Sequence, residues 1–400
     1  MPEFYPPEQN PRLVQFLQQW SAPIGRWRYR ITLEVDPQDV ERLRSLREHR
    51  LLLLSNHPTF HDWITLFMLS ARAGEAFHYM AAYERFQGWN GQFLQKLGAY
   101  SIRRGLGDRP SVVKTIELLM QPRCRLVIFP EGGCSFQNDT VMPLRTGAIQ
   151  VGFQALSKLG KQGEEADLYV VPISIKYRYT GDMNRVVHRT LQVLERSLHL
   201  PVMTDGNRDR FYTRLRTVAE TVMIQVETDY GLHDEAIATL DWNHRIDRIR
   251  AHILTACEQA LDITPPPHQP LRERVYRIQY VLESRAEAIV RSNFWTYESI
   301  HRAAARLLNF SAIYDGYVAA SPTPERYLDT LVRLEREQFN IGEPVPKGHR
   351  NAVVTIGEPL NLKDYVSLYQ SDRTRTVDQL ATILQQQIQS TLDTSPSLLQ

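Results

Sequence analysis

The chain has 400 residues, 42% of them hydrophobic and 23% charged, which is too apolar for a disordered protein and long enough for about two to three domains. With 47 Lys and Arg against 45 Asp and Glu, the formal charge of +2 creates no global field toward nucleic acid, and no nucleic-acid partner is expected. The three cysteines, Cys124, Cys134 and Cys257, match neither a zinc-knuckle nor a redox-pair spacing and point to a reducing compartment.

The first predicted element follows Pro11, where Leu13, Phe16, Leu17 and Trp20 fall at helical spacing ahead of Arg26, Trp27, Arg28, Tyr29 and Arg30. That stripe suits either a membrane surface or packing on the helix's own domain. No run approaches the ~20 apolar residues that span a bilayer, and the start of the chain lacks the basic and apolar regions of a signal peptide. A cytoplasmic protein, peripheral on a membrane surface, is the expectation.

From Arg28 to Val35 the sequence alternates like a strand, Pro37 to Glu48 reads as a short helix, and Arg50 to Ser55 is an apolar run suited to a buried strand. After Pro58, which suits a first helical turn, a helical pattern runs through Trp63, Ile64, Phe67 and Met68 to Gly74. Apolar runs at Ala76 to Ala81, Leu126 to Phe129 and Leu168 to Ile175 are separated by helical segments at Glu84 to Leu97, Ser111 to Met120 and Thr146 to Leu159. Such alternation predicts an α/β fold with a mostly parallel sheet flanked by helices. From about Thr180 the texture becomes helical, with a stripe of Ile246, Ile249, Ile253, Cys257 and Leu261, before a strand returns at Asn351 to Ile356 and a final helix follows through Leu380, Leu384 and Ile388. The expected organisation is an N-terminal amphipathic segment at 1–30, an α/β domain at 31–180, a large helical insertion at 181–350, and the last strand and helix of the α/β domain at 351–400. On this reading the returning strand joins the same sheet as the earlier runs, as one more short parallel strand; the alternative is two consecutive domains, with this last strand belonging to the helical one.

Three segments carry chemistry. In SNHPTFHD, Ser55 to Asp62, His57 and Asp62 are five residues apart, roughly 140° around an unbroken helix, and cannot share a face of one. Pro58 disfavours helical geometry at His57, so the imidazole can sit in the strand-to-helix turn as general base with Asp62 behind it as positioning carboxylate, the alternative being a structural histidine at a helix start with Asp62 as its cap partner. The same break argues against His57 and His61 as a metal pair, and no metal is expected. In GAYSIRRG, Gly98 to Gly105, Arg103 and Arg104 stand on a Gly-bounded loop directly after a helix and suit a phosphate, with a solvated basic turn as the alternative. In FPEGGCS, Phe129 to Ser135, a strand ends in Glu131, Gly132 and Gly133, at the strand end where open α/β sheets bind ligands. A further basic loop, PLRTGA, contributes Arg145, and VVPISI at Val170 to Ile175 supplies a strand containing proline.

Taken in order, these segments resemble the glycerolipid acyltransferase family, which includes lysophosphatidate and glycerol-3-phosphate acyltransferases. Asn56, His57 and Asp62 match its first block, Gly98 to Gly105 resembles its second, Phe129, Pro130, Glu131, Gly132 and Ser135 match its third, and Val171, Pro172 and Ile173 resemble its fourth. The resemblance covers about Ile31 to Arg178 and Ala352 to Leu392. It implies transfer of an acyl group from acyl-CoA or an acyl carrier protein to the hydroxyl of a glycerol phosphate, lysophospholipid or related lipid acceptor. By the same resemblance Glu131 is an acceptor-site residue, and no cofactor is needed. Where the family commonly has Thr and Arg, this chain has Gly133 and Cys134, so the arginine assigned to an acceptor phosphate is missing. Arg103, Arg104, Arg145 or Lys176 then supplies that charge, or the acceptor carries no phosphate monoester. Cys134 is a candidate nucleophile, whereas the resemblance implies direct attack by the acceptor hydroxyl. Two rivals use the same fold: a lipid ester or thioester hydrolase with the same His–Asp pair, and a non-catalytic lipid-binding scaffold, against which intact His57 and Asp62 argue.

Overall fold

A computed structural model describes residues 3–105, 107–204, 206–232, 240–284, 295–311 and 313–394. The described chain divides into two compact units. One comprises the residues up to Arg103, from Gly107 to Thr180 and from Gly348 onward; the other comprises those of Gly181–Lys347 together with Arg104 and Gly105.

The first unit is an α/β layer structure around one eight-stranded sheet, ordered β1-β7-β6-β2-β5-β3-β4 with β8 paired to β6. The strands are β1 (Ile31–Val35), β2 (Arg50–Ser55), β3 (His78–Ala82), β4 (Ala99–Ile102), β5 (Arg125–Ile128), β6 (Leu168–Tyr179), β7 (Arg350–Ile356) and β8 (Leu360–Asn361). From β6 across to β4 every pair is parallel. Successive residues of a strand face opposite sides, so Leu51, Leu53, Val127, Val171 and Ile173 enter one core while Leu52, Leu54, Leu126, Ile128 and Val170 enter the other. Burial on both faces is why these strands read as unbroken apolar runs.

The returning strand β7 does join this sheet, but it runs antiparallel to β6 and parallel to β1. The expectation of another strand parallel to its neighbours is corrected only in part, because an apolar run reports burial on two faces and carries no information on direction. The tetrapeptide Ala99–Ile102 is strand β4 rather than loop, so Arg103 and Arg104 follow a strand and not a helix. Its four residues are too short to stand out in a Gly-bounded segment, yet Ala99, Tyr100 and Ser101 are buried.

Strand β6 continues four residues beyond the expected end at Ile175. The cation Lys176 masks the extension, although alternation persists, with Tyr177 buried between partly exposed Lys176 and Arg178. Beyond Ser55, strand β2 no longer covers this edge, and two buried amides replace it. Asn56 accepts from Ile175 N–H at 2.7 Å and donates to its carbonyl at 3.0 Å, and Asn138 does the same at Tyr177, both at 2.6 Å. Each amide satisfies one backbone donor and one acceptor that burial would otherwise leave costly. Pro172 sits inside the same strand where β8 ends and β7 begins, so its missing N–H removes no ladder bond there.

Helix α1 (Pro11–Arg28) starts at an Asn10 cap and packs on α3 (Asp62–Ala73) through Val14, Leu17, Ser21 and Gly25. A Cβ at Gly25 would lie 2.6 Å from Met68 Sδ, so the small residues set how closely the helices approach. The anticipated single stripe therefore splits: Leu17 turns inward, while Phe16, Trp20 and Trp27 stay 57%, 53% and 86% exposed. No helix among the described residues is long and apolar enough to cross a membrane.

Among the described residues the second unit is helical, with six longer helices at Asn184–Ser197, Phe211–Asp229, Trp242–Ala260, Leu271–Ser284, Tyr297–Phe310 and Pro324–Phe339. Ile246, Ile249, Ile253, Cys257 and Leu261 are all buried in its core, as a 3.6-residue period requires.

Candidate active site

Strand β2 delivers His57 two residues past its end, and the turn that follows is organised around Asp62. Pro58 lies in this turn, and α3 begins only at Asp62, so the proline is not part of the first helical turn as expected. The reason is local: Thr59 donates its N–H to Asp62 Oδ2 at 3.0 Å and its hydroxyl to Oδ1 at 2.8 Å, while His61 N–H is taken by Thr59 Oγ1 at 3.1 Å. These bonds close the chain into a side-chain-capped turn before helical bonding starts.

Asp62 is fully buried and also accepts the Tyr177 hydroxyl at Oδ1, 2.8 Å, and His57 Nδ1 at Oδ2, 2.7 Å. A buried carboxylate is stable only when its lone pairs are used, and here four contacts use them. With Nδ1 committed to Asp62, Nε2 is the ring nitrogen left to accept a proton. The ring stacks on Phe129, with centroids 4.2 Å apart at 19°, and its side chain remains 19% exposed. Burial pulls the imidazole toward its neutral form, but its interactions with Cys134 and the Asp62 carboxylate outweigh burial and hold His57 well above the ordinary histidine value. The same neighbourhood pushes the Tyr177 hydroxyl up, through burial first and then the Asp62 charge, so it stays a donor.

The turn after β5 closes over the histidine. Glu131, 2% exposed, accepts His57 N–H at Oε1, 3.0 Å, and Ser135 N–H donates to the His57 carbonyl at 2.8 Å. Gly132 takes φ +75°, and a Cβ there would lie 2.4 Å from Arg145 Cζ, so the guanidinium packs directly on bare backbone. Arg145 N–H in turn holds the Pro130 carbonyl at 2.9 Å. Gly133 continues the turn to Cys134, whose Sγ lies 3.4 Å from His57 Nε2 and 3.9 Å from Nδ1.

The structure thus brings His57, Asp62, Glu131, Gly132, Gly133 and Arg145 into one contiguous arrangement. Arg103 and Arg104 take other partners. Arg103 lies over the Tyr83 ring at 4.5 Å and gives its N–H to Asp108 at 2.7 Å, whereas Arg104 groups with the helical unit, over the Tyr276 ring at 4.3 Å and bonded to its hydroxyl at 3.0 Å. Tyr177 and Thr59, which hold Asp62, were not anticipated. The signal for Tyr177 was there in the alternation of β6 past Lys176. Among the described residues no group of three or more His, Cys, Asp or Glu is placed to hold a metal ion.

A family of known sequences, described as Acyltransferase, matches residues 36–176, which contain every segment of this arrangement. No curated protein gives a significant match. That match is consistent with a glycerolipid acyltransferase-like family, and it supports acyltransferase activity in general.

Proposed function

We propose that the protein transfers a fatty acyl group from a thioester, on coenzyme A or an acyl carrier protein, to a hydroxyl of a glycerol-based lipid acceptor at a membrane surface. The observation that carries this reading is the His57 Nδ1 to Asp62 Oδ2 bond of 2.7 Å on a stacked, partly exposed ring. His57 Nε2 removes the hydroxyl proton as oxygen attacks the thioester carbonyl, and the resulting imidazolium protonates the departing thiolate. Asp62 positions the ring and offsets its charge. Membrane attachment is supported by Phe16, Trp20 and Trp27, which sit on one exposed face of α1 beside Arg12, Arg26 and Arg28. Residues 181–350 are, on this reading, an insertion within the acyltransferase domain.

The position where the family commonly places arginine holds Cys134, and this favours an acceptor without a phosphate monoester. Purified protein given labelled acyl-CoA or acyl carrier protein and a panel of glycerolipid alcohols should form ester, with lysophosphatidate not the best acceptor. Absence of ester with every acceptor would refute the reading, and a clear preference for lysophosphatidate would refute its acceptor part.

A further inference from the structure

Helix α1 ends on a cluster of cations that the reaction at His57 does not use. Pro23, Arg26 and Trp27 from its last turns, Arg30 just past its end and His349 ahead of β7 line one open pocket. At 100° per residue Phe16, Trp20, Pro23 and Trp27 fall within about 60° of one another on the helix, so the pocket continues the exposed aromatic face, with Trp27 belonging to both. Arg30 takes φ +53°, the left-handed conformation that helix ends usually give to glycine, and so places a long cation where glycine would be unstrained. His349 is tied to Thr32 Oγ1 through Nε2 at 2.8 Å, and its imidazole is held toward the neutral form by burial first and then by Arg26, Arg350 and Arg30. Arg350 is 6% exposed and lies over the Tyr177 ring at 4.6 Å; its Nε and Nη2 have no hydrogen-bond partner, and among the described residues no carboxylate pairs with it. Three arginines thus converge on one place, one of them buried without a counter-ion, and such a field favours an anion.

The pocket also stands at the end of the sheet that carries the site. Ser55 pairs with Ile173, β6 runs on from there to Tyr179, Tyr179 pairs with Arg350, and Arg350 pairs with Ile31. Arg30 and His349 therefore flank the end from which β2 releases His57. Tyr29, beside the pocket, packs its ring on His61 at 5.4 Å and on Trp63 at 5.6 Å, where α3 begins. Resting on the membrane attachment proposed above, we propose that this pocket takes the headgroup phosphate of an anionic phospholipid and thereby turns the His57 end of the sheet toward the bilayer. Guanidinium forks match phosphate oxygens, and a tryptophan at the headgroup level keeps its apolar body in the interface beside them. A bilayer is the occupant that uses the whole surface, because a soluble phosphate would meet the cations and leave Phe16, Trp20 and Trp27 in water.

The test is cosedimentation of the whole chain with vesicles of phosphatidylcholine alone and of phosphatidylcholine mixed with phosphatidylglycerol. Wild-type protein should bind the mixed vesicles at least about thirtyfold more tightly than the neutral ones. Arg26→Gln combined with Arg30→Gln should keep the wild-type circular dichroism and lose roughly that thirtyfold. Arg12→Gln combined with Arg28→Gln removes equal charge from the same helix, outside the pocket, and its loss should be at least about fivefold smaller. Equal losses from the two pairs would show diffuse attraction and overturn the site. Unchanged vesicle binding by the pocket pair would overturn the headgroup as occupant, and lost binding of acyl carrier protein or of inorganic phosphate in that same variant would then name the occupant instead. Wild-type protein that binds neither kind of vesicle would overturn the membrane reading itself.

Discussion

The two units bury ionic side chains in contrasting ways. In the helical unit three ion pairs are closed and two-pronged. Arg214 meets Glu195 at 2.6 and 2.9 Å, Arg245 meets Glu227 at 2.9 and 2.6 Å, and Arg274 meets Glu258 at 2.7 and 2.5 Å. Each fork matches its carboxylate and leaves nothing to offer a ligand. In the α/β unit Asp62 is equally buried, but three of its four contacts come from neutral donors, and the fourth is a histidine whose side chain is partly exposed. Charge that cancels within a pair fixes structure, whereas charge handed to a partly exposed proton acceptor is available for chemistry.

The contrast can be broken most sharply at the histidine. His57→Ala should lower transfer by about a thousandfold while circular dichroism and Tm stay near wild type, since the ring makes one hydrogen bond at the surface of the core. Arg214→Ala should do the opposite. Leaving Glu195 buried without its partner should cost about 3–5 kcal/mol in denaturant unfolding, with transfer per folded molecule unchanged. Tyr177→Phe removes one donor from Asp62 and keeps the other three contacts, so a loss of roughly tenfold in transfer is expected, on the scale of one charge-assisted hydrogen bond. The smallest effect is a titration. The His57 midpoint, followed by NMR of the imidazole and assigned by its absence in His57→Ala, should lie above the ordinary histidine value. It should move down in Asp62→Asn, because that change removes a negative charge that favours the imidazolium. An unchanged midpoint would show that Asp62 holds the ring without setting its charge.

How much of this was legible in the sequence follows from contact range. The strands β2, β5 and most of β6 announce themselves because burial on two faces leaves a continuous apolar run, and the His57–Asp62 pair lies within one turn of chain. The direction of β7 was not legible, nor was the replacement of a missing strand edge by Asn56 and Asn138, because both depend on which segments the topology makes neighbours. Cys134 was read as a candidate nucleophile from its residue type. Its contact with His57, 77 residues earlier in the chain, appears only when β2 and β5 are set side by side. The arginines show the converse: Arg103 and Arg104 look like one paired site in sequence and turn to Tyr83 and Tyr276 in the fold.

The most direct measurement of the central claim is the partition of a labelled acyl group between ester and free acid when wild-type protein meets a thioester donor with and without an alcohol acceptor. A transferase built on His57 and Asp62 should put the label into ester when acceptor is present, form free acid slowly in its absence, and lose the ester in His57→Ala. Free acid released at the same rate with or without acceptor would contradict the account and identify water as the nucleophile activated at this site.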